Sequence, residues 1–167
     1  MGWYGRSLKA RLGIGLGIVA VLAAGLAGLF LATGGAELLF GPTVPVTFAT
    51  IDGQPDFRRV TLTGELSLPA TMLIDGDSHS VYLSDPAIPG RSVGVSIKVA
   101  QAGAAAAPNQ MDSLPLIYSD DDLRVRLANG SSAHHGDLVR VTGPVRTCAV
   151  GGEPLRCIDA EVIESGE

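Results

Sequence analysis

Residues 139–145 read VRVTGPV, alternating apolar and polar side chains into a Thr-Gly pair before an aliphatic residue follows two positions on. Residues 60–66 read VTLTGEL and repeat the design. A period of two predicts a β-strand with one buried and one solvated face. A glycine inside such a strand marks a bulge, or a bend where a small barrel turns its corner. Both stretches therefore predict bent strands, with Gly64 and Gly143 as structural glycines.

The segments around these two stretches also predict strands separated by turns. Asp75-Gly76 and Asn129-Gly130 are hairpin turn signals. Further alternating or short apolar runs lie at 81–83, 93–99, 123–127 and 158–162. The alanine-rich residues 101–107 are expected to form at most one or two helical turns, ended by Pro108. Residues 58–164 are thus predicted to be an antiparallel all-β domain.

An uncharged apolar run without proline, LGIGLGIVAVLAAGLAGLFLA, occupies residues 12–32. As a helix it spans roughly 30 Å at ~1.5 Å per residue, which matches the hydrocarbon core of a bilayer. Arg6, Lys9 and Arg11 precede it, whereas Glu37 is the first charge after it. The positive-inside rule then keeps the N-terminus in the cytoplasm and exports the rest of the chain.

This asymmetry predicts a single-pass protein of the cell membrane. It comprises a cytoplasmic N-terminus (1–11), a transmembrane signal-anchor helix in lipid (12–32), a spacer (33–57) and the exported domain (58–164). A cleaved signal peptide ending at Ala32-Thr33-Gly34 is the alternative, although signal-peptide apolar regions usually run ~7–15 residues. The pairs Gly13/Gly17 and Ala24/Gly28 have the small-xxx-small spacing that favours self-association of membrane helices.

The two cysteines suit an exported domain. Cys148 and Cys157 flank Gly151-Gly152-Glu153-Pro154. If this tetrapeptide turns the chain, Val150 faces Leu155 and Cys148 faces Cys157, at a separation that a disulfide bridges. An even cysteine count in an exported domain favours a disulfide over a metal site.

The order of the predicted strands resembles the OB-fold, a five-stranded Greek-key barrel. Three strands, a short linking element and two further long strands give this order, and GDLVRVTGPV (136–145) is similar to the fourth OB strand. The strand at 123–127 departs from the pattern, as an elaboration between the third and fourth strands. The resemblance implies binding through the second and third strands, where Tyr82, Ser84, Ser96 and Lys98 would lie, rimmed by residues 101–107.

Many OB-folds bind single-stranded nucleic acid through a cationic groove with aromatic platforms. From Gly41 onward, however, this chain has nine basic against sixteen acidic residues, with four aromatic ones. An acidic, aromatic-poor barrel repels a polyanion, so nucleic acid is an unfavoured alternative. Three arginines, Arg124, Arg126 and Arg140, remain the best clue to binding, if they line one face.

An N-terminal anchor followed by an exported OB barrel is also the layout of the cytochrome c maturation haem chaperone. GAELLFGP (35–42) resembles the stretch that follows the anchor in that family. The family's haem-attaching histidine near the C-terminus, with a tyrosine shortly after, is absent from CIDAEVIESGE (157–167). Haem handling, or metal binding by His134-His135 in a loop, is therefore a secondary alternative, and no cofactor is predicted.

No catalytic constellation is visible in the sequence. Asp120-Asp121-Asp122 lack the spacing of a Ca²⁺ loop, and no serine lies in a nucleophile elbow. The sequence thus predicts a non-catalytic binding or interaction module, with a protein partner or small ligand outside the cytoplasm.

Overall fold

A computed structural model describes residues 41–70, 74–150 and 153–166. The predicted cytoplasmic segment, the membrane helix with its small-xxx-small pairs, and residues 33–40 of the spacer lie outside these ranges. Within them, no helix has both the length and the apolar character that crossing a bilayer requires.

The described chain forms eleven strands and two single-turn 3-10 helices, at Ile51–Gly53 and Asp120–Asp122. The strands are β1 (Val44–Pro45), β2 (Arg59–Ser67), β3 (Ile74–Asp75), β4 (Ser78–Ser84), β5 (Ser92–Val99), β6 (Gln110–Met111), β7 (Arg124–Arg126), β8 (Ser132–His134), β9 (Leu138–Val150), β10 (Glu153–Asp159) and β11 (Val162–Ser165).

Five of these strands close into a barrel. β2 pairs with β4 and β4 with β5, both antiparallel, and β5 pairs with β10 in parallel. β10 then pairs with β9, and β9 returns to β2, both antiparallel. The barrel strands are adjacent in the order first, second, third, fifth, fourth. This Greek-key order confirms the prediction of an all-β, OB-like barrel. The expectation of a wholly antiparallel domain is wrong, because β5 and β10 pair in parallel.

The barrel core is built from the inward residues of the alternating strands. Val60, Leu62 and Leu66 of β2 are at most 1% exposed, and Val139 and Val141 of β9 are fully buried. Each such side chain contributes about 1.5–3 kcal/mol when it leaves water. The alternating residues 60–66 and 139–145 therefore supply core side chains from two neighbouring strands, β2 and β9.

The segment between β5 and β9 is an insertion of three short strands. β6 pairs in parallel with β5, and β6, β7 and β8 follow one another as antiparallel neighbours. The predicted strand at 123–127 is present as β7, but the helical turns predicted for 101–107 are wrong. Gly103 turns the chain at φ 82°, and all residues from 101 to 107 except Ala106 are exposed. An isolated helical turn without tertiary packing is unstable, because nucleating a helix is unfavourable.

Residues 43–57 were predicted to belong to the spacer, yet they pack on the barrel. β1 pairs in parallel with β2, and the side chains of Phe48 and Ile51 are buried in the core. The folded unit therefore begins at Thr43.

The chain end also differs from the single strand predicted at 158–162. β10 ends at Asp159 beside Ser96 of β5, and β11 starts at Val162 beside Thr142 of β9. Between them, the Ala160 N–H donates to Ser96 and the Glu161 N–H donates to Thr142. The chain thus transfers from one neighbouring strand to another, which a single straight strand cannot do.

The disulfide between Cys148 and Cys157 is confirmed, with a Cα–Cα distance of 6.0 Å. The predicted register is wrong, because Leu155 pairs with Cys148 and Cys157 pairs with Arg146. The cysteines are therefore diagonal neighbours across the hairpin, and Glu153 pairs directly with Val150.

Candidate binding site

An open groove of about 750 Å³ lies on the solvated face of β2 and β9. Its floor consists of side chains that alternate with the core residues of these strands. These floor residues are Thr61, Thr63, Arg140 and Thr142. Two walls rise beside the floor, formed by residues 43–49 and by the loop between β4 and β5.

The floor side chains lie opposite one another because β2 and β9 pair in register. Thr61 pairs with Thr142 across the β2–β9 ladder, and their Oγ1 atoms are 2.9 Å apart. Thr63 pairs with Arg140, whose other strand neighbour is Glu164 of β11. The floor therefore offers hydroxyl groups beside a guanidinium and a carboxylate.

One hydrogen bond joins the two walls of the groove. The Arg91 guanidinium donates from Nη2 to the Phe48 carbonyl oxygen over 2.5 Å. The Val46 N–H donates to the Thr61 carbonyl oxygen over 2.9 Å, which attaches the first wall to β2. Asp85 closes the base of the second wall, since its N–H donates to the Arg91 carbonyl oxygen. The walls are thus held by defined contacts.

The lining of the groove combines balanced charge with an apolar rim. Arg91 and Arg140 are matched by Asp85 and Glu164. The apolar lining residues are Pro45, Val46, Phe48, Ala49, Leu62, Pro86 and Ile88. Phe48 is buried, whereas Ile88 is 49% exposed at the rim. Such a surface can take a chain that carries polar and apolar groups together.

Two of the predicted binding residues, Tyr82 and Lys98, lie on another face, formed by β4 and β5. Tyr82 pairs with Gly94, and Lys98 pairs with Ser78. Lys98 lines a shallow pocket beside the Arg146–Asp159 ion pair, in which Nε and Oδ1 are 2.6 Å apart. The predicted role of this face in binding stays a prediction.

The three predicted arginines do not share one surface. Arg124 and Arg126 line a pocket of about 360 Å³ on the insertion, whereas Arg140 lines the groove. The hypothesis of a single arginine face is therefore wrong. The arginines belong to β7 and β9, which are not neighbours in the sheet.

The two predicted loop histidines lie at the end of β8 (His134) and just after it (His135), each beside one carboxylate. His135 Nε2 is 3.5 Å from Asp120 Oδ1, and His134 Nδ1 is 3.7 Å from Asp137 Oδ2. Across the part of the chain that the structure describes, no three His, Cys, Asp or Glu residues are grouped for a metal ion. Asp122 instead accepts hydrogen bonds from the N–H and hydroxyl of Ser119, at 2.7 and 2.9 Å.

Gly64 and Gly143 both lie where another chain segment approaches closely. A Cβ on Gly143 would overlap the carbonyl oxygen of Asp159, at the point where the chain passes from β10 to β11. Gly94 of β5 is a third such position, because its Cβ would lie 2.7 Å from the Sγ atom of Cys157. The Sγ atom of Cys157 thus occupies the space that a side chain at position 94 would need.

The pKa of His79 is shifted in the folded protein. Burial lowers the pKa of His79 from its ordinary value of 6.5. Its Nδ1 atom is buried and has no hydrogen-bond partner in the described chain. This histidine therefore favours its neutral form in the folded protein.

Sequence reasoning missed most residues of the groove, chiefly Arg91, Phe48 and the two paired threonines. A signal for the first wall was present, since Val44, Val46 and Phe48 alternate with Pro45 and Thr47. Pro45 within this short run obscured it, because proline interrupts a strand pattern. Nothing local in the sequence of Arg91 indicates its contact with a carbonyl group 43 residues away.

Comparison with known proteins gives no family. No family model matches the chain, and no curated protein matches it. One similar solved structure is described as that of the hypothetical protein ygiW from E. coli, with a TM-score of 0.36 and 16% identity. The match covers 74% of this chain and 97% of that one. The assignment of the barrel therefore rests on its strand pairing.

Proposed function

We propose that this protein is a membrane-anchored, non-catalytic binding module that holds a segment of a partner protein in the groove, outside the cytoplasm. One observation carries the proposal. The floor threonines of β2 and β9 and the two walls joined by Arg91 form a preformed, open surface of mixed chemistry.

The sequence and the disulfide both support the membrane-anchored, exported location. The apolar run at 12–32 and the three basic residues before it favour an anchored chain with an exported C-terminal part. The disulfide between Cys148 and Cys157 favours an oxidising compartment.

The lining of the groove favours a polypeptide over other ligands. Two cations balanced by two carboxylates give no net attraction for a polyanion, and the ring of Phe48 is too buried for base stacking. Small-molecule sites are mostly enclosed and apolar, whereas this groove is open and rich in hydroxyl groups. Pro45 has no N–H to donate from the outer strand β1, so recognition would use side chains.

Site-specific photo-crosslinking in intact cells tests this proposal. A photoreactive residue replaces Thr63 on the groove floor or, as the control, the exposed Asn129 in the turn between β7 and β8. We expect a discrete protein adduct from position 63 alone, and we expect Arg140→Glu to abolish it. The absence of an adduct, or equal adducts at both positions, would rule out the groove as the binding surface.

Topology is tested separately by cysteine labelling. We expect a membrane-impermeant maleimide to react with Cys148, the more accessible of the two cysteines, in intact cells only after a reductant is added. A protein recovered with both thiols already free would contradict the exported location.

A further inference from the structure

We propose that the outer face of the insertion binds a small oxyanion, a phosphate or carboxylate group, between Arg124 and Arg126. This pocket is separate from the groove, and the inference does not rest on the proposed function.

Strand geometry directs both arginines to one side of β7. Val125 between them is fully buried, so its two neighbours project outward. Residues two apart on a strand are separated by about 6.8 Å, a gap that an oxyanion can bridge. On the adjacent strand, Arg124 pairs with His134 and Arg126 pairs with Ser132.

A wall of backbone completes the pocket. Residues 103–106 border the arginines, together with Ser113 and Ser132. The N–H groups of Ala105 and Ala106 donate no hydrogen bond within the described ranges, and neither do the hydroxyls of Ser113 and Ser132. Two serines and a backbone segment of small residues thus line the same pocket as two arginines, a combination that suits an anion.

The competing contacts leave donors free on both arginines. Arg126 donates from Nη1 to the Gly130 carbonyl oxygen over 2.6 Å, which fixes its orientation. Arg124 Nε is 3.9 Å from Asp112 Oδ2, at the outer limit of an ion pair, and its side chain is 61% exposed. Because a guanidinium has five N–H donors, these single contacts do not saturate it.

The charge and size of the pocket limit the ligand. The lining carries two arginines against one carboxylate, Asp112, so it favours a negative group. Its volume of about 360 Å³ suits a small molecule or one head group. Both guanidinium groups present planar forks that match phosphate and carboxylate oxygens.

Isothermal titration of the full-length protein in a non-ionic detergent tests the proposal, with inorganic phosphate and citrate as probes at constant ionic strength. We expect saturation at one site with a Kd on the order of 1 mM, weakened at least ~10-fold in Arg124→Ala/Arg126→Ala. Removing the competing carboxylate in Asp112→Asn should tighten binding by about 3–5-fold. Arg58→Ala, outside the pocket and without an ion pair in the described chain, is the matched control and should bind as wild type does.

A second variant tests the proposal if Arg124→Ala/Arg126→Ala does not fold. Arg124→Lys/Arg126→Lys preserves charge but removes the forks, so binding should fall by an intermediate factor of roughly 3–10. The proposal is overturned if no probe saturates below about 50 mM, if the Arg58 control weakens equally, or if neither pocket variant changes the affinity. A short-chain phosphatidylglycerol, titrated in parallel, separates a free anion from the same group on a lipid.

Discussion

The ring of Phe48 fills the space that a side chain at Gly64 would need. A Cβ on Gly64 would lie 2.7 Å from Cζ of Phe48 and 2.9 Å from the carbonyl oxygen of Ser84. Phe48 belongs to the first wall of the groove, and Gly64 belongs to β2. The contact therefore attaches the groove wall to the barrel core.

Gly64→Ala should destabilise the fold by roughly 1–3 kcal/mol, since the new methyl group overpacks a buried contact. Thermal unfolding followed by circular dichroism measures the change. Gly53→Ala is the control, because no atom lies within 4 Å of its Cβ position and its φ is not positive. Equal stability of the two variants would mean that the Phe48 contact does not constrain position 64.

Gly143→Ala should be more damaging, and we expect a loss of at least about 3 kcal/mol or failure to fold. The obstacle here is the backbone carbonyl of Asp159, which cannot rotate away as a side chain can. The same unfolding measurement, with Gly53→Ala alongside, checks it. A folded variant of wild-type stability would show that the chain between β10 and β11 relaxes without cost.

Local pattern was enough to predict β2, β4, β5 and β9 of the barrel, but it misplaced β10 and did not predict what packs around the barrel. Alternation at 60–66 and 139–145 encodes strand faces directly. The hairpin predicted from Asp75-Gly76 is present, with Gly76-Asp77 as the turn between β3 and β4. The first wall of the groove escaped prediction because Pro45 masks its alternation. The hairpin register escaped as well, since Cys148 and Cys157 can bridge diagonally as well as directly.

The candidate site was predicted only in pieces. Arg140 was recognised as an outward residue of a wet strand, and the structure places it on the groove floor. Its grouping with Arg124 and Arg126 failed, because one-dimensional alternation says which face of a strand a residue occupies and not which strands are neighbours. Strand order comes from long-range packing, which the pattern does not contain.

Reduction of the Cys148–Cys157 disulfide should lower the stability by roughly 2–3 kcal/mol, the chain-entropy value for so short a loop. Unfolding curves with and without a reductant measure this loss. The control is Cys148→Ser/Cys157→Ser, whose stability should not respond to the reductant. A wild-type protein equally stable in both conditions would show that strand pairing alone fixes the hairpin.

Arg91→Gln should loosen the joint between the two groove walls. It removes a charged donor to the Phe48 carbonyl oxygen, and such hydrogen bonds contribute about 1.5–3 kcal/mol. Amide hydrogen exchange should become faster in residues 43–49 and in the loop between β4 and β5, with the insertion unaffected. Arg58→Gln serves as the control, and uniform acceleration across the barrel would contradict a local role for Arg91.

The stability of the protein should fall in mildly acidic solution because of His79. Burial lowers its pKa in the folded state below the ordinary value of 6.5, so the unfolded chain binds this proton more readily. The contribution of neutral His79 to the free energy of unfolding is therefore complete above pH 6.5. It is lost as the pH falls from 6.5 through the lower pKa of the folded state. Glutamine cannot titrate, so His79→Gln should lack this component. Melting temperatures of the two proteins, measured between about pH 8 and pH 5, should therefore converge or cross only below 6.5. Parallel curves over the whole range would show that His79 does not contribute to the acid sensitivity.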